Sequence, residues 1–289
     1  MIKVSAPVNQ NLVLEIESFL FESAPSPWSI VLNRKSKVLF LEGIFKNKQD
    51  YQEKIQHLHE SLSKSLDQIK IEKLDESWKE AYKNHFKTWS YKGINFIPEW
   101  ERVKNANDIG DSCVYIDPGM AFGTGNHETT RLCIELLTDL YYQQAIPKNS
   151  FLDVGCGSGI LSIFAQVLGF RFIAGIDNDE CAIANSKINA SINFKSPKIN
   201  FSKKNISSID SNLYNCVVAN IQSDVLMTYC NKFTRVLQKK GNLVLSGILD
   251  YEVEVVRQTF QKQLRTDHLN AKIYTRRKKE WCALQIKLL

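Results

Sequence analysis

One run of residues constrains the fold of this chain more than any other: Phe-Leu-Asp-Val-Gly-Cys-Gly-Ser-Gly-Ile-Leu at positions 151–161. An apolar segment of strand length enters three alternating glycines, Gly155, Gly157 and Gly159, which open onto a segment with helical apolar spacing. Glycine tolerates left-handed backbone and carries no side chain, so such a loop lets the main chain approach a ligand closely. The N-terminus of the helix that follows adds favourable polar contacts. A strand, a glycine loop and a helix in succession predict a parallel sheet with a ligand crevice at the carboxyl ends of its strands. A nicotinamide-binding fingerprint, G-x-G-x-x-G, would place its third glycine one residue beyond Gly159, which argues against a dehydrogenase.

The segments around this run agree with an α/β fold. Strands are expected at Phe151–Val154, Phe172–Asp177, Cys216–Ala219 and Asn242–Ser246. Helices are expected at Arg131–Tyr141, Ile160–Leu168, Asp179–Asn193, Ser223–Leu237 and Asp250–Leu264, with Gly169 and Gly241 as C-terminal caps. A hairpin of His268–Tyr274 and Trp281–Leu288, turned by the basic run 276–279, follows. The start of the chain reads differently. Strands Ile2–Ala6, Trp28–Leu32, Val38–Ile44 and Ile69–Leu74 frame helices Asn9–Ser23 and Gln49–Leu66, which is the split β-α-β order of a small ferredoxin-like α+β domain. Between them, Trp78, Tyr82 and Phe86 recur at helical spacing, and His85 is expected to join their packing. The expected organisation is a ferredoxin-like domain over 1–74, a linker helix over 75–100 and a Rossmann-like domain over 101–289.

At 289 residues and 44% hydrophobic, the chain can bury a core without disulfides or structural metals. Its 7 cysteines include no C-x-x-C pair, so no metal site is expected, and buried thiols in a reducing cytosol are. No secretory pattern opens the chain, and no apolar run nears the ~20 residues needed to span a bilayer. A soluble, cytoplasmic protein without membrane contact is expected. The net charge of +6 gathers partly in Lys203–Lys204, Lys239–Lys240 and 276–279. No aromatic residues interleave with these clusters as a base-stacking surface would require, so no stable nucleic-acid binding is expected.

Further residues point to the crevice. Asp177 ends the strand RFIAGID, where an acceptor-only carboxylate can take both hydroxyl hydrogen bonds of a ribose. Asn178 or Asp179 is better placed than Asp177 to cap the next helix. Asn220 ends the strand VVANI beside the glycine loop, and an amide there can accept and donate without carrying charge; the competing role is a turn or cap. Upstream, DPGMAFGTGNHETT at 117–130 is a loop flexible at Gly119, Gly123 and Gly125 that delivers Asn126, His127, Glu128, Thr129 and Thr130 to the start of a helix. Lining an active site and a purely structural role are both open to His127.

These motifs carry a family resemblance. A G-x-G-x-G loop preceded by an acidic residue is similar to that of class I S-adenosylmethionine methyltransferases. DPGMAFGTGNHETT, FLDVGCGSGIL, GIDNDECAI, VVANI and LSGIL, in that order, resemble the methyltransferases of ribosomal protein L11. WKEAYKNHF resembles their interdomain linker, and the ferredoxin-like start resembles their substrate-recognition domain. The resemblance implies a Rossmann-like, seven-stranded sheet and S-adenosyl-L-methionine as cofactor, contacted at Thr130, Gly155, Gly157, Asp177 and Asn220. It further implies N-methylation of ribosomal protein L11 on lysine and N-terminal α-amino groups by a monomer, with His127 positioning the amine. Departures occur at Gln222-Ser223-Asp224, where the family is more apolar, and at Asn126 and Glu128. Methylation of another protein's lysines, or of RNA, stands as the alternative.

Overall fold

The strand that feeds the glycine loop lies third in a sheet of seven. The computed structural model describes residues 2–22, 26–33, 36–45, 47–62, 66, 68–73, 87–102, 113–117, 127–144 and 146–289. The chain divides into two compact units, Met1–His85 and Phe86–Leu289.

In the first unit, β1 (Ile2–Pro7), β2 (Trp28–Leu32), β3 (Leu39–Phe45) and β4 (Lys70–Lys73) form a sheet in the order β2-β3-β1-β4. Its pairings are all antiparallel. Helix α1 (Val13–Glu22) joins β1 to β2, and α2 (Lys48–Ser61) joins β3 to β4. That order is the ferredoxin-like one the sequence predicts. Alternate strand residues Val4, Ala6, Leu41 and Phe45 meet Ile16, Ile55 and Leu58 from the helices in one core. Asn47 caps α2 by accepting from the Asp50 N–H at 2.9 Å. The predicted second helix runs on to Leu66; the chain leaves the helix at Leu62, which is extended at ψ 145°.

The second unit opens with a small sheet of β5 (Trp89–Tyr91), β6 (Ile94–Pro98) and β7 (Cys113–Ile116). The linker helix predicted over 75–100 is therefore replaced by strands in its described part, where Lys92 and Gly93, both at positive φ, turn a hairpin. Trp78, Tyr82, His85 and Phe86 lie outside the described residues, as do Gly119, Gly123, Gly125 and Asn126.

The large sheet comprises β8 (Ser150–Val154), β9 (Phe172–Asp177), β10 (Ile199–Lys203), β11 (Tyr214–Asn220), β12 (Leu237–Leu249), β13 (Ala271–Lys278) and β14 (Trp281–Leu288), in the order β10-β9-β8-β11-β12-β14-β13. The first five are parallel, and β14 enters antiparallel between β12 and β13. Crossover helices require the near-continuous apolar strands seen in β8 and β11, buried on both faces.

On one face lie α3 (Glu128–Tyr142), α4 (Ile160–Val167) and α5 (Glu180–Asn193), packed around Phe151, Phe164 and Leu137. On the other lie α6 (Ser223–Thr228), α7 (Cys230–Arg235) and α8 (Val253–Thr266), packed around Phe233, Phe260 and Ile286. The single helix predicted over 223–237 is thus two, broken at Tyr229. Gly169 sits at φ 86° after its helix as predicted, whereas Gly241 lies within β12 rather than at a cap. Most of the basic run 276–279 belongs to β13, and the hairpin turns at Lys279-Glu280. Arg276 pairs with Asp139 at 2.6 Å, Lys278 with Glu135, Lys279 with Glu128 and Arg277 with Asp250 at 2.8 Å. Three of these four cations clamp the hairpin to α3.

Candidate cofactor-binding site

The carboxyl ends of β8, β9, β11 and β12 and the first turn of α3 enclose a cavity of about 710 Å³. The glycine loop forms one wall. Gly155, Gly157 and Gly159 have φ of 70°, 51° and 79°, a region that L side chains rarely occupy. The loop is pinned from behind: the Gly155 and Cys156 N–H groups donate to the Ile176 carbonyl at 2.8 and 3.0 Å. A Cβ on Gly155 would stand 2.4 Å from Ile221 Cγ2, so the loop is also closed to side chains by its neighbour.

Asp177 ends β9 and faces this loop. Its Oδ2 accepts from the Gly157 N–H at 2.9 Å, and its Oδ1 accepts from the Asp179 N–H at 3.0 Å. Both oxygens keep further lone pairs for a ligand, since an ionised carboxylate has about four acceptor sites. The cap of α5 is Asp179, which accepts from the Cys181 N–H at 2.8 Å and leaves Asp177 out of that task.

Asn220 ends β11. Its Nδ2 donates to Thr130 Oγ1 at 3.2 Å, while its Oδ1 is buried with no protein partner. A buried amide oxygen without a donor costs about 1–3 kcal/mol, so its retention at a cavity wall points to a ligand that supplies one. Thr130 and Thr129 are fully buried in the first turn of α3, and Ser246 Oγ ties that turn to β12 by donating to the Thr129 carbonyl at 3.1 Å. His127 caps α3, with Nδ1 2.8 Å from Thr129 Oγ1 and its ring edge-on to Trp281 at 5.0 Å between centroids.

Asp153 lies behind the loop, only 1% exposed. Its Oδ2 accepts from the Ser162 N–H at 3.0 Å and from Ser162 Oγ at 2.7 Å, and its Oδ1 has no partner. Burial pushes its carboxyl up to about 7 despite those bonds, and the nearby Asp177 adds to the shift. The carboxyl is thereby held near the boundary between its neutral and charged forms at neutral pH.

His127, Thr130, Gly155, Gly157, Asp177 and Asn220, the six site residues named from the sequence, all line this one cavity. Sequence reasoning does not place Trp281, Tyr229, Ile206, Lys204 or Gly247 in the crevice, yet they line it too. Trp281 arrives on the last strand, and Ile206 on a short 3-10 turn, 206–208, with no local motif. Gly247 has a signal in LSGIL, because its φ of 84° and the Ile221 carbonyl 2.3 Å from any Cβ admit only glycine. No group of three or more metal-ligating side chains occurs among the described residues. No helix among them is long and apolar enough to cross a membrane.

The chain resembles known proteins over much of its length. It is 35% identical over 206 residues to the ribosomal protein L11 methyltransferase of Dictyoglomus thermophilum, covering 71% of this chain and 64% of that one. It is 34% identical over 176 residues to that of Staphylococcus carnosus, covering 61% and 55%. The matched stretch thus spans less than two thirds of either relative. The crystal structure of the ribosomal protein L11 methylase from Lactobacillus delbrueckii subsp. bulgaricus superposes with a TM-score of 0.58 at 26% identity, covering 70% of this chain and 98% of that one. The profile of the family described as ribosomal protein L11 methyltransferase (PrmA) matches residues 12–288, and the chain belongs to that family.

Proposed function

We propose that the chain is an S-adenosylmethionine-dependent N-methyltransferase acting on ribosomal protein L11, at lysine and N-terminal α-amino groups, as a cytoplasmic monomer. Asn220 carries the assignment: a buried, unpartnered amide oxygen beside a cradle of left-handed glycines suits a ligand with both an amine and a close-fitting backbone surface. The main chain at Gly155 and Gly157 would hold the methionine end of the cofactor. The free lone pairs of Asp177 would accept from its ribose hydroxyls, and Thr130 fixes the orientation of the Asn220 amide.

The bound cofactor supplies an electrophilic methyl group on a sulfonium whose departure is neutral, chemistry that asks the protein for alignment rather than for a metal. The acceptor amine must present a lone pair. At pH 7, deprotonation costs about 4–5 kcal/mol for an ordinary lysine and about 1 kcal/mol for an α-amine. Burial against Trp281, Ile221 and Val225 shifts both in the helpful direction by penalising the ammonium form. His127 and Asn220 orient the amine, and water takes its proton.

Calorimetry with S-adenosylhomocysteine and with NAD, followed by transfer of labelled methyl groups into purified ribosomal protein L11, tests the reading. Binding of S-adenosylhomocysteine alone, and label in L11, is expected. Binding of NAD instead would overturn the cofactor assignment, and label that appears only in other proteins of an extract would overturn the target.

A further inference from the structure

We propose that the end of the large sheet opposite the cavity is an RNA-binding edge. The parallel order sets the cavity at the carboxyl ends of β8, β9, β11 and β12, so their amino ends form the opposite pole. At that pole, six of the seven strands carry a basic residue. Lys198 precedes β10, Arg171 precedes β9 and Lys148 precedes β8; Lys240 lies early in β12, Lys287 near the end of β14 and Lys272 at the start of β13. The exception, β11, is entered through Asn212 and Leu213.

Register shows that these residues are neighbours. The Arg171 N–H donates to the Lys148 carbonyl at 3.1 Å. Lys287 stands directly opposite Lys272 on one side and Asn242 on the other. Five of the six are exposed and Lys287 is half-buried.

The two poles treat their cations differently. Around the hairpin turn near the cavity, all four residues of the basic run are ion-paired. At the opposite pole, none of the six has an ion pair among the described residues; Lys148 alone lies over a ring, that of Tyr141 at 4.0 Å. Chain order brings two acids to the same pole: Asp267, which follows α8 and is held by Arg235 at 3.4 Å, and Asp210, which precedes β11. Like charges directly opposite on a sheet are destabilising, so the Lys272–Lys287 pair, neither member of which has an ion pair among the described residues, is an arrangement that a polyanion would relieve.

Length selects the ligand class. Seven strands at ~4.8 Å spacing make a line of roughly 29 Å, several times the ~8 Å Debye length at physiological ionic strength. A small anion neutralises one or two of its charges, whereas an extended polymer of phosphates meets them all. Between Lys198 and Arg171, Phe172 is 70% exposed at the start of β9, an aromatic face on which a base can stack. The exposed amides of Asn149 and Asn212 complete a line of donors suited to phosphate and sugar. A single-stranded RNA segment fits this combination better than a membrane, which would call for a broad patch rather than a row.

Fluorescence anisotropy of the full chain with a labelled 20-nucleotide RNA tests the proposal. About five phosphate contacts on a single strand predict an affinity that falls roughly 100-fold between 50 and 200 mM salt. Arg171→Ala/Lys272→Ala/Lys287→Ala should leave about two contacts and a fall of only about 7-fold, with weaker binding already at 50 mM. Unchanged affinity of that variant for S-adenosylhomocysteine shows that the fold and cavity survive. Three results would overturn the assignment: no anisotropy change at 50 mM salt, a salt slope that the triple variant does not alter, or tighter binding of polyglutamate or anionic vesicles than of RNA.

Discussion

Gly155→Ala isolates the physical reason for the glycine loop. Two costs add at this position. The backbone sits at φ 70°, where an L side chain costs about 1–2 kcal/mol. The new Cβ would also stand 2.4 Å from Ile221 Cγ2, an overlap typical of overpacked cores that cost about 1–3 kcal/mol. The sum predicts a loss of roughly 2–5 kcal/mol. Ile221→Ala removes Cγ2 and leaves only Ile221 Cβ, which lies 4.0 Å from the methyl carbon that alanine would add, an ordinary contact. In that background Gly155→Ala should cost only the backbone part, about 1–2 kcal/mol. Urea unfolding of the four proteins closes a double-mutant cycle with a coupling of roughly 1–3 kcal/mol. Equal costs of Gly155→Ala in both backgrounds would refute the steric half of this reasoning. A cost near zero in the Ile221→Ala background would refute the backbone half.

Other perturbations test other parts of the site. Asp153, held up at about 7 by burial, favours its protonated form in the fold, so the stability it contributes is present below the unfolded carboxyl value near 4 and is lost as pH rises to 7. Three pH units correspond to at most about 4 kcal/mol, and Asp153→Asn should flatten this part of the stability-against-pH curve; parallel curves for the two proteins would contradict it. Asn220→Ala should weaken S-adenosylhomocysteine binding by about 10-fold or more while leaving the melting temperature unchanged or raised, because an unpartnered buried oxygen disappears; a lowered melting temperature with intact affinity would make Asn220 structural. Arg276→Ala removes one of the two cations paired with Asp139, leaving Lys92 at 2.5 Å, and should cost about 1 kcal/mol or less, less still at high salt; a cost that salt leaves unchanged would point to lost packing instead.

The parts of this molecule legible in its sequence are those written by short-range rules. Gly155, Gly157 and Gly159 declare a loop, Asp177 and Asn220 mark strand ends, and the alternating elements of the first unit reproduce the ferredoxin-like order. Long-range placement is harder to read. The helix over 223–237 looks continuous because its apolar spacing is, and nothing local announces the break at Tyr229. The strands β5 and β6 are hidden by aromatic residues that also suit a helix. The basic run 276–279 reads as a solvated turn, yet three of its cations are bound to acids of α3 more than a hundred residues earlier. Conversely, the row from Lys148 to Lys287 is invisible in sequence, since its members are scattered over 140 residues and only the sheet order aligns them. The expectation of no stable nucleic-acid binding rests on clusters in sequence, whereas the row is a cluster in space.

The position of β14 gives the second unit an order of assembly. The last strand in sequence is not at the edge; it slots between β12 and β13, which were made before it, and it brings Trp281 to the cavity wall. Until residues 281–288 are available, β12 and β13 each expose an unpaired edge, and the cavity lacks one side. A chain in which β14 has not yet paired therefore has a glycine loop but a cavity open on its Trp281 side.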